Sequence, residues 1–194
     1  MDKMDKVEYI VIHHTGAEEK DAAQVKRYHL GLGWRDIGYH YIIEKDGKIV
    51  KGRTGTGAHC TADGMNKKGI GIALIGNFDK RLPTKKQLAS LDTIVFQEAQ
   101  VYKIPYTKII GHNEVKGAAT ACPGKNLKMY QVRNNYVNYV DAIEKREQQQ
   151  TEEKAVNLYR VQVGAYKEKG NALQMVKKLK AAGYPAFIKV PGQS

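Results

Sequence analysis

The chain has 194 residues, 42% of them hydrophobic, and a formal charge of +12. That apolar fraction supports a packed core and excludes a disordered polymer. No run approaches the roughly 20 apolar residues needed to cross a bilayer, and the length suits one full domain plus a small second unit.

The charge is unevenly spread: residues 151–194 carry 8 Lys+Arg against 3 Asp+Glu. A basic surface attracts a polyanion, whether nucleic acid, an acidic membrane or a bacterial cell wall. No nucleic-acid-binding motif accompanies the charge, so that class rests on electrostatics alone. Met1 to Lys6 is polar and leads straight into an apolar run, so no secretory signal is expected.

In chain order, Val7 to His13 reads as a strand, because Tyr9-Ile10-Val11-Ile12 is aromatic and β-branched. It ends on His13-His14-Thr15-Gly16, polar residues where site groups commonly sit. Asp21 is an N-cap for a helix over Ala22 to Leu30, with Val25, Tyr28 and His29 on one face and Gly31 and Gly33 ending it. Gly33 to Gly38 is a loop. Tyr39 to Glu44 is a strand, paired through the Asp46-Gly47 turn with Ile49-Val50. Residues 52–69 form a long Gly-rich loop holding Gly57-Ala58-His59, and loops of that length in compact domains are usually functional. Gly69 to Ile75 reads as a buried strand.

Thr84 caps the longest helix, Lys85 to Tyr102, with Leu88, Leu91, Ile94, Val95 and Ala99 inward. Lys108 to Gly111 is a short strand that delivers His112, and a last helix runs from near Asn126 to about Lys145. Residues 147–154 are polar throughout and read as a linker or a frayed extension of that helix. Beyond them, Leu158 to Val163 alternates as a strand. Asn171 to Ala182 is a helix with Ala172, Leu173, Val176 and Leu179 on one side, and Ala186 to Val190 is a second strand. One such βαβ unit buries little, so it is expected to pair with a copy of itself as a homodimer or to lean on the first domain.

Two stretches carry the chemistry. Ile110-Gly111-His112-Asn113-Glu114 and Ala121-Cys122-Pro123-Gly124 set an imidazole and a thiol ten residues apart. Borderline-soft N and S donors suit zinc, but this spacing is too wide for a zinc-finger knuckle, and two ligands do not hold a metal alone. A third must come from elsewhere, and His13 is an early candidate. Three protein ligands leave a fourth position for water, the pattern of a catalytic zinc. A Cys60–Cys122 disulfide is open to the sequence, but a chain of this length needs no staple, and Cys60 reads as a small buried residue.

Six motifs occur in order: Ile12-His13-His14-Thr15, Gly33 through His40, Gly57-Ala58-His59, Gly69-Ile70-Gly71-Ile72, Gly111-His112 and Ala121-Cys122-Pro123-Gly124. In these, residues 7–130 resemble the zinc-dependent N-acetylmuramoyl-L-alanine amidases of the type-2 family, which includes phage endolysins and the peptidoglycan-recognition proteins. The resemblance implies an α/β fold, a mixed central sheet flanked by helices. It implies Zn2+ held by His13, His112 and Cys122, and Tyr39 as a catalytic donor near the metal. It also implies a substrate groove lined by His59, with Trp34 and Arg35 as further candidates. Adjacent strand residues point to opposite faces, so His14 is expected to pack rather than bind the same ion. His29 and His40 are expected to be structural.

Two positions depart from parts of the family. Some phage members carry a catalytic lysine two residues before the cysteine; here Thr120 stands there and is assigned an assisting catalytic role. Another branch carries a glutamate in the central strand; here it is Ala73. The tail, 156–190, resembles half of the sporulation-related (SPOR) wall-binding repeat, through Leu158 to Tyr166 and Gly183-Tyr184-Pro185-Ala186.

The organisation expected is therefore a zinc amidase domain over 1–146, a linker over 147–155 and a SPOR-like half repeat over 156–194. The expected partner is bacterial peptidoglycan, with no nucleic acid and no membrane span. The protein is expected to be made in a bacterial cytoplasm and to act at the wall after release, as an endolysin or autolysin. The competing reading is a module that binds peptidoglycan without cutting it; members that only bind typically lack the cysteine, and Cys122 is present.

Overall fold

The computed structural model describes residues 6–60, 62–156 and 162–189. The chain divides into two units, Met1–Arg146 and Glu147–Ser194. Among the described residues, no helix is long and apolar enough to cross a membrane.

The first unit is built on a five-stranded sheet in the order β3-β2-β4-β1-β5. Its strands are β1 (Tyr9–His14), β2 (Tyr41–Ile43), β3 (Ile49–Lys51), β4 (Gly69–Leu74) and β5 (Ile109–Gly111). β1 runs parallel to both β4 and β5, β2 runs parallel to β4, and only the β2–β3 hairpin is antiparallel. Gly47 turns that hairpin at φ +90°, a conformation glycine adopts without steric cost.

The sheet is covered on both faces. Ile10 and Ile12 of β1, Ile70, Ile72 and Leu74 of β4 and Ile109 of β5 join one cluster. It is closed by α3 (Lys85–Tyr102) through Leu91, Ile94, Val95 and Ala99, and by Met129 and Val132 of α4 (Met129–Val156). On the other face, Ile42 and Ala73 pack with Ala22 and Val25 of α1 (Ala22–Gly31) and with Tyr39. Val11 packs there with Ala58, Cys60 and Met65 of α2 (Met65–Lys68) and the loop before it. Burying each of these large aliphatic side chains contributes about 1.5–3 kcal/mol.

Local chemistry sets the helix starts. Asp21 accepts the Gln24 N–H at 2.8 Å, and Thr84 and Gln87 form a reciprocal capping box. Two inward faces differ from the expected ones. Tyr28 is exposed while Val25 and His29 are buried. Leu88 is also exposed, and the neighbouring Gln87 is fully buried in its place. The cause is polar: the Gln87 amide donates to the carbonyls of Ile43 and Ile75, which lie where β2 and β4 end.

The last helix of the first unit starts at Met129 and continues to Val156, so residues 147–155 are helical. In the second unit, α5 spans Lys169–Ala181. Of the two strands expected beside it, residues 162–163 and 186–189 show no strand pairing, and residues 158–161 and 190 lie outside the described residues.

Candidate metal centre

The site follows from strand register. Parallel pairing sets Ile12 of β1 opposite Gly111 of β5, so the next residues, His13 and His112, emerge side by side at the carboxyl ends of the two strands. Their ring centroids are 4.7 Å apart. His112 begins a single 3-10 turn, His112–Glu114. The loop that follows folds back so that Asn113 N–H donates to the Cys122 carbonyl at 2.7 Å. Ligand atoms of His13, His112 and Cys122 all lie within 4.8 Å of one another.

The orientation of each donor has a cause. His13 Nε2–H donates to the Ala58 carbonyl at 2.8 Å, which leaves the Nδ1 lone pair 3.6 Å from Cys122 Sγ. Zinc bonds of about 2.0–2.1 Å to nitrogen and about 2.3 Å to sulfur, at a tetrahedral angle, require about that N···S separation. The donor set therefore fits zinc. A hydrogen bond on the far ring nitrogen is also what fixes a metal-binding histidine's tautomer. The sulfur is steered by the His14 N–H at 3.4 Å, and the Cys122 N–H donates to Thr120 Oγ1 at 3.1 Å.

Electrostatics keep the triad neutral on its own. Burial, then the neighbouring His112 and His59, hold His13 well below the usual imidazole range. Burial lowers His112 as well and pushes the Cys122 thiol up to about 12. A divalent cation reverses that preference for the thiol by pairing with the thiolate. Both cysteines are free, so no disulfide competes for the sulfur.

Beside the triad lies an aromatic cluster. Tyr39 is buried just before β2, with its ring 5.4 Å from that of His13. His59 sits 4.5 Å from Tyr39, 5.0 Å from Trp34 and 5.6 Å from His13, centroid to centroid. Its backbone is left-handed, φ +56°, an uncommon state for a non-glycine residue that drives the ring inward. Burial, then His29, His112 and Arg53, lower His59 to about 4. Burial raises Tyr39 above the ordinary phenol range.

The remaining expectations sort clearly. His14 turns to the opposite face, where its Nδ1 accepts the Phe78 N–H. His29 Nδ1 accepts the Gly38 N–H, and His40 bridges Gly55 O and Gly71 N–H. Ala73 is buried in the apolar cluster with Tyr39. Trp34 is partly exposed at the edge of the aromatic cluster, 4.5 Å from His29. Arg35 is exposed and joins none of these contacts among the described residues.

Two groups escaped the sequence. The Ala58 carbonyl orients His13, although Gly57-Ala58-His59 was legible as a motif. Arg53 lies against Gly57, and its Nε is buried with no hydrogen-bond partner among the described residues. A lone arginine after a short edge strand carries no local signal of this; only the loop's return past Gly57 creates it.

A mixed-sheet α/β domain with an N/N/S metal-type triad at its parallel strand ends is the class that fold and site define. The chain belongs to the N-acetylmuramoyl-L-alanine amidase family, whose model matches residues 3–125. A SPOR domain model matches residues 130–190, starting inside α4 rather than at 156. Peptidoglycan recognition protein 1 of Mus musculus is 33% identical over 145 residues, 69% of this chain and 77% of that protein. An endolysin of Klebsiella phage KP32 is 28% identical over 145 residues, 70% of this chain and 92% of that protein. The solved structure of N-acetylmuramoyl-L-alanine amidase LysC from Clostridium intestinale URNW matches with a TM-score of 0.60 at 32% identity, over 66% of this chain and 84% of that one.

Proposed function

We propose that this protein hydrolyses the amide bond between N-acetylmuramic acid and L-alanine in bacterial peptidoglycan, as a zinc-dependent wall lysin of the endolysin or autolysin kind. The observation that carries this reading is the convergence of His13, His112 and Cys122. Zinc bound there supplies a Lewis acid that polarises the scissile carbonyl and brings the pKa of bound water toward about 7.

The chain's own groups do the rest. Tyr39 keeps its phenolic proton and donates it as a hydrogen bond to the oxyanion that develops at the carbonyl. Thr120, whose oxygen already accepts the Cys122 N–H, retains a proton for the same oxyanion or a water. His59 and Trp34 form the groove wall beside the metal, and Arg53 offers a positive charge beside His59 for a carboxylate on the peptide. The SPOR segment holds the enzyme on the wall, and the exposed apolar residue Leu173 of α5 supports pairing of that unit with a second copy.

The test is digestion of purified cell walls with and without a chelator, followed by mass spectrometry of the released muropeptides. Chelator-sensitive loss of turbidity with new L-Ala amino termini is expected. Wall binding without cleavage would instead favour pure recognition, the function in the name of the mouse relative.

A further inference from the structure

We propose that Arg133, on α4, is a positioning residue for the metal ligand His112, acting through Glu114. This rests on the zinc reading of the triad. His112 has no regular element of its own: it begins one 3-10 turn at the end of a three-residue strand. Such a turn holds a ligand steady only if both its ends are fixed.

One guanidinium braces the segment on both sides, through Glu114 at the end of the turn and Ile109 at the start of the strand before it. Arg133 Nη1 and Nη2 bond Glu114 Oε2 and Oε1 at 2.8 and 3.1 Å, a two-pronged charge-assisted pair. The same Nη1 also donates to the Ile109 carbonyl at the start of β5, at 3.2 Å. Glu114 Oε2 in turn accepts the Gly111 N–H at 2.9 Å, just before His112. The segment 109–114 is thus gripped at its first residue, its middle and its end. Because Asn113 N–H holds the Cys122 carbonyl, a shift of the turn moves the sulfur ligand as well. The side chains of Arg133 and Glu114 are 24% and 36% exposed, so water screens the pair only in part.

Arg133 lies beyond the residues matched to the amidase family and within those matched to the SPOR domain. The metal loop therefore depends on a helix that the catalytic family match does not include. A lysine cannot reproduce the grip, since a single ammonium lacks the planar fork that reaches both carboxylate oxygens and a carbonyl.

The test uses the full-length, metal-free protein, with zinc affinity measured by competition against a chromogenic chelator and folding by circular dichroism. Arg133→Lys and Glu114→Gln are each expected to weaken zinc binding about 10–100-fold, the usual effect of removing a group that orients a ligand. Their combination should cost little more than either alone, because they act as one unit. Asn135→Ala removes a different tie of α4, to Asp92, and should leave zinc affinity unchanged. Folded Arg133→Lys with wild-type affinity overturns the proposal; if that variant does not fold, wild-type affinity in Glu114→Gln overturns it. Loss of affinity in Asn135→Ala equal to that in Arg133→Lys would also overturn it, by showing a general effect of loosening the helix. A wild-type protein that binds no zinc would sink the zinc reading itself, and this proposal with it.

Discussion

His13 and Cys122 lie 109 positions apart in the chain and meet at 3.6 Å, Nδ1 to Sγ. The imidazole presents a lone pair because its other nitrogen is committed to Ala58, and the thiol keeps its proton because burial disfavours the thiolate. Zinc binding at this site would therefore displace that proton. Near pH 6, calorimetry in buffers of different ionisation enthalpy should report close to one proton released per zinc bound, with affinity rising as pH rises. Cys122→Ala should bind zinc far more weakly and release almost none.

The Ala58 carbonyl that orients His13 is itself supported from below. A Cβ on Gly71 would lie 2.7 Å from Ala58 O and 3.0 Å from its carbonyl carbon, both backbone atoms that cannot swing aside. Gly71→Ala should cost about 1–3 kcal/mol by overpacking, a fall of roughly 2–4 °C in Tm per kcal/mol. It should also weaken zinc binding, since the displaced carbonyl is the one that fixes the His13 tautomer. Thermal melts of metal-free protein and a zinc titration check the two effects separately. Wild-type values in both would show that the loop absorbs the methyl group.

These two residues also mark what the sequence made legible. The β-branched run before His13 announces a strand, and the Thr84/Gln87 box announces α3, because both signals are local. His13, His112 and Cys122 were legible as candidate ligands because few side chains bind zinc and because they stand in short motifs that resemble those of the amidase family. Gln87 was not, since its burial depends on two carbonyls at distant strand ends. Residues 147–155 read as a linker or as an extension of the last helix because they have no apolar stripe; Glu, Gln and Lys are good helix formers, and α4 continues through them. Arg53 and Arg133 acquire meaning only from what the fold brings beside them.

Acid should unfold the metal-free protein early. His40 accepts the Gly71 N–H on Nδ1 and donates from Nε2 to Gly55 O, so protonating Nδ1 breaks a buried bond. Burial lowers its pKa from the ordinary 6.5, and His59 falls to about 4. Below about pH 6.5 the unfolded chain then binds more protons than the native one, so stability is lost as pH falls toward 4. Each such histidine contributes a slope of up to about 1.4 kcal/mol per pH unit. Urea unfolding between pH 4 and 7.5 measures it, and His40→Gln should flatten the profile. A wild-type profile with no slope would remove these histidines from the acid response.

In the proposed mechanism, Tyr39 and Thr120 have separate roles that kinetics can distinguish. Tyr39 is buried with a raised pKa, so it holds its proton throughout the working range and its hydroxyl is a fixed donor. Tyr39→Phe keeps the packed ring and removes only that donor. It should lower kcat about 10²–10³-fold, the usual loss for one oxyanion donor, with little change in KM or in zinc affinity. Thr120 differs because its oxygen also holds the Cys122 N–H. Thr120→Val should therefore lower kcat and weaken zinc binding together, whereas Thr120→Ser should restore both. A Tyr39→Phe enzyme with wild-type kcat on purified wall fragments would leave Thr120 or the metal itself as the source of oxyanion stabilisation.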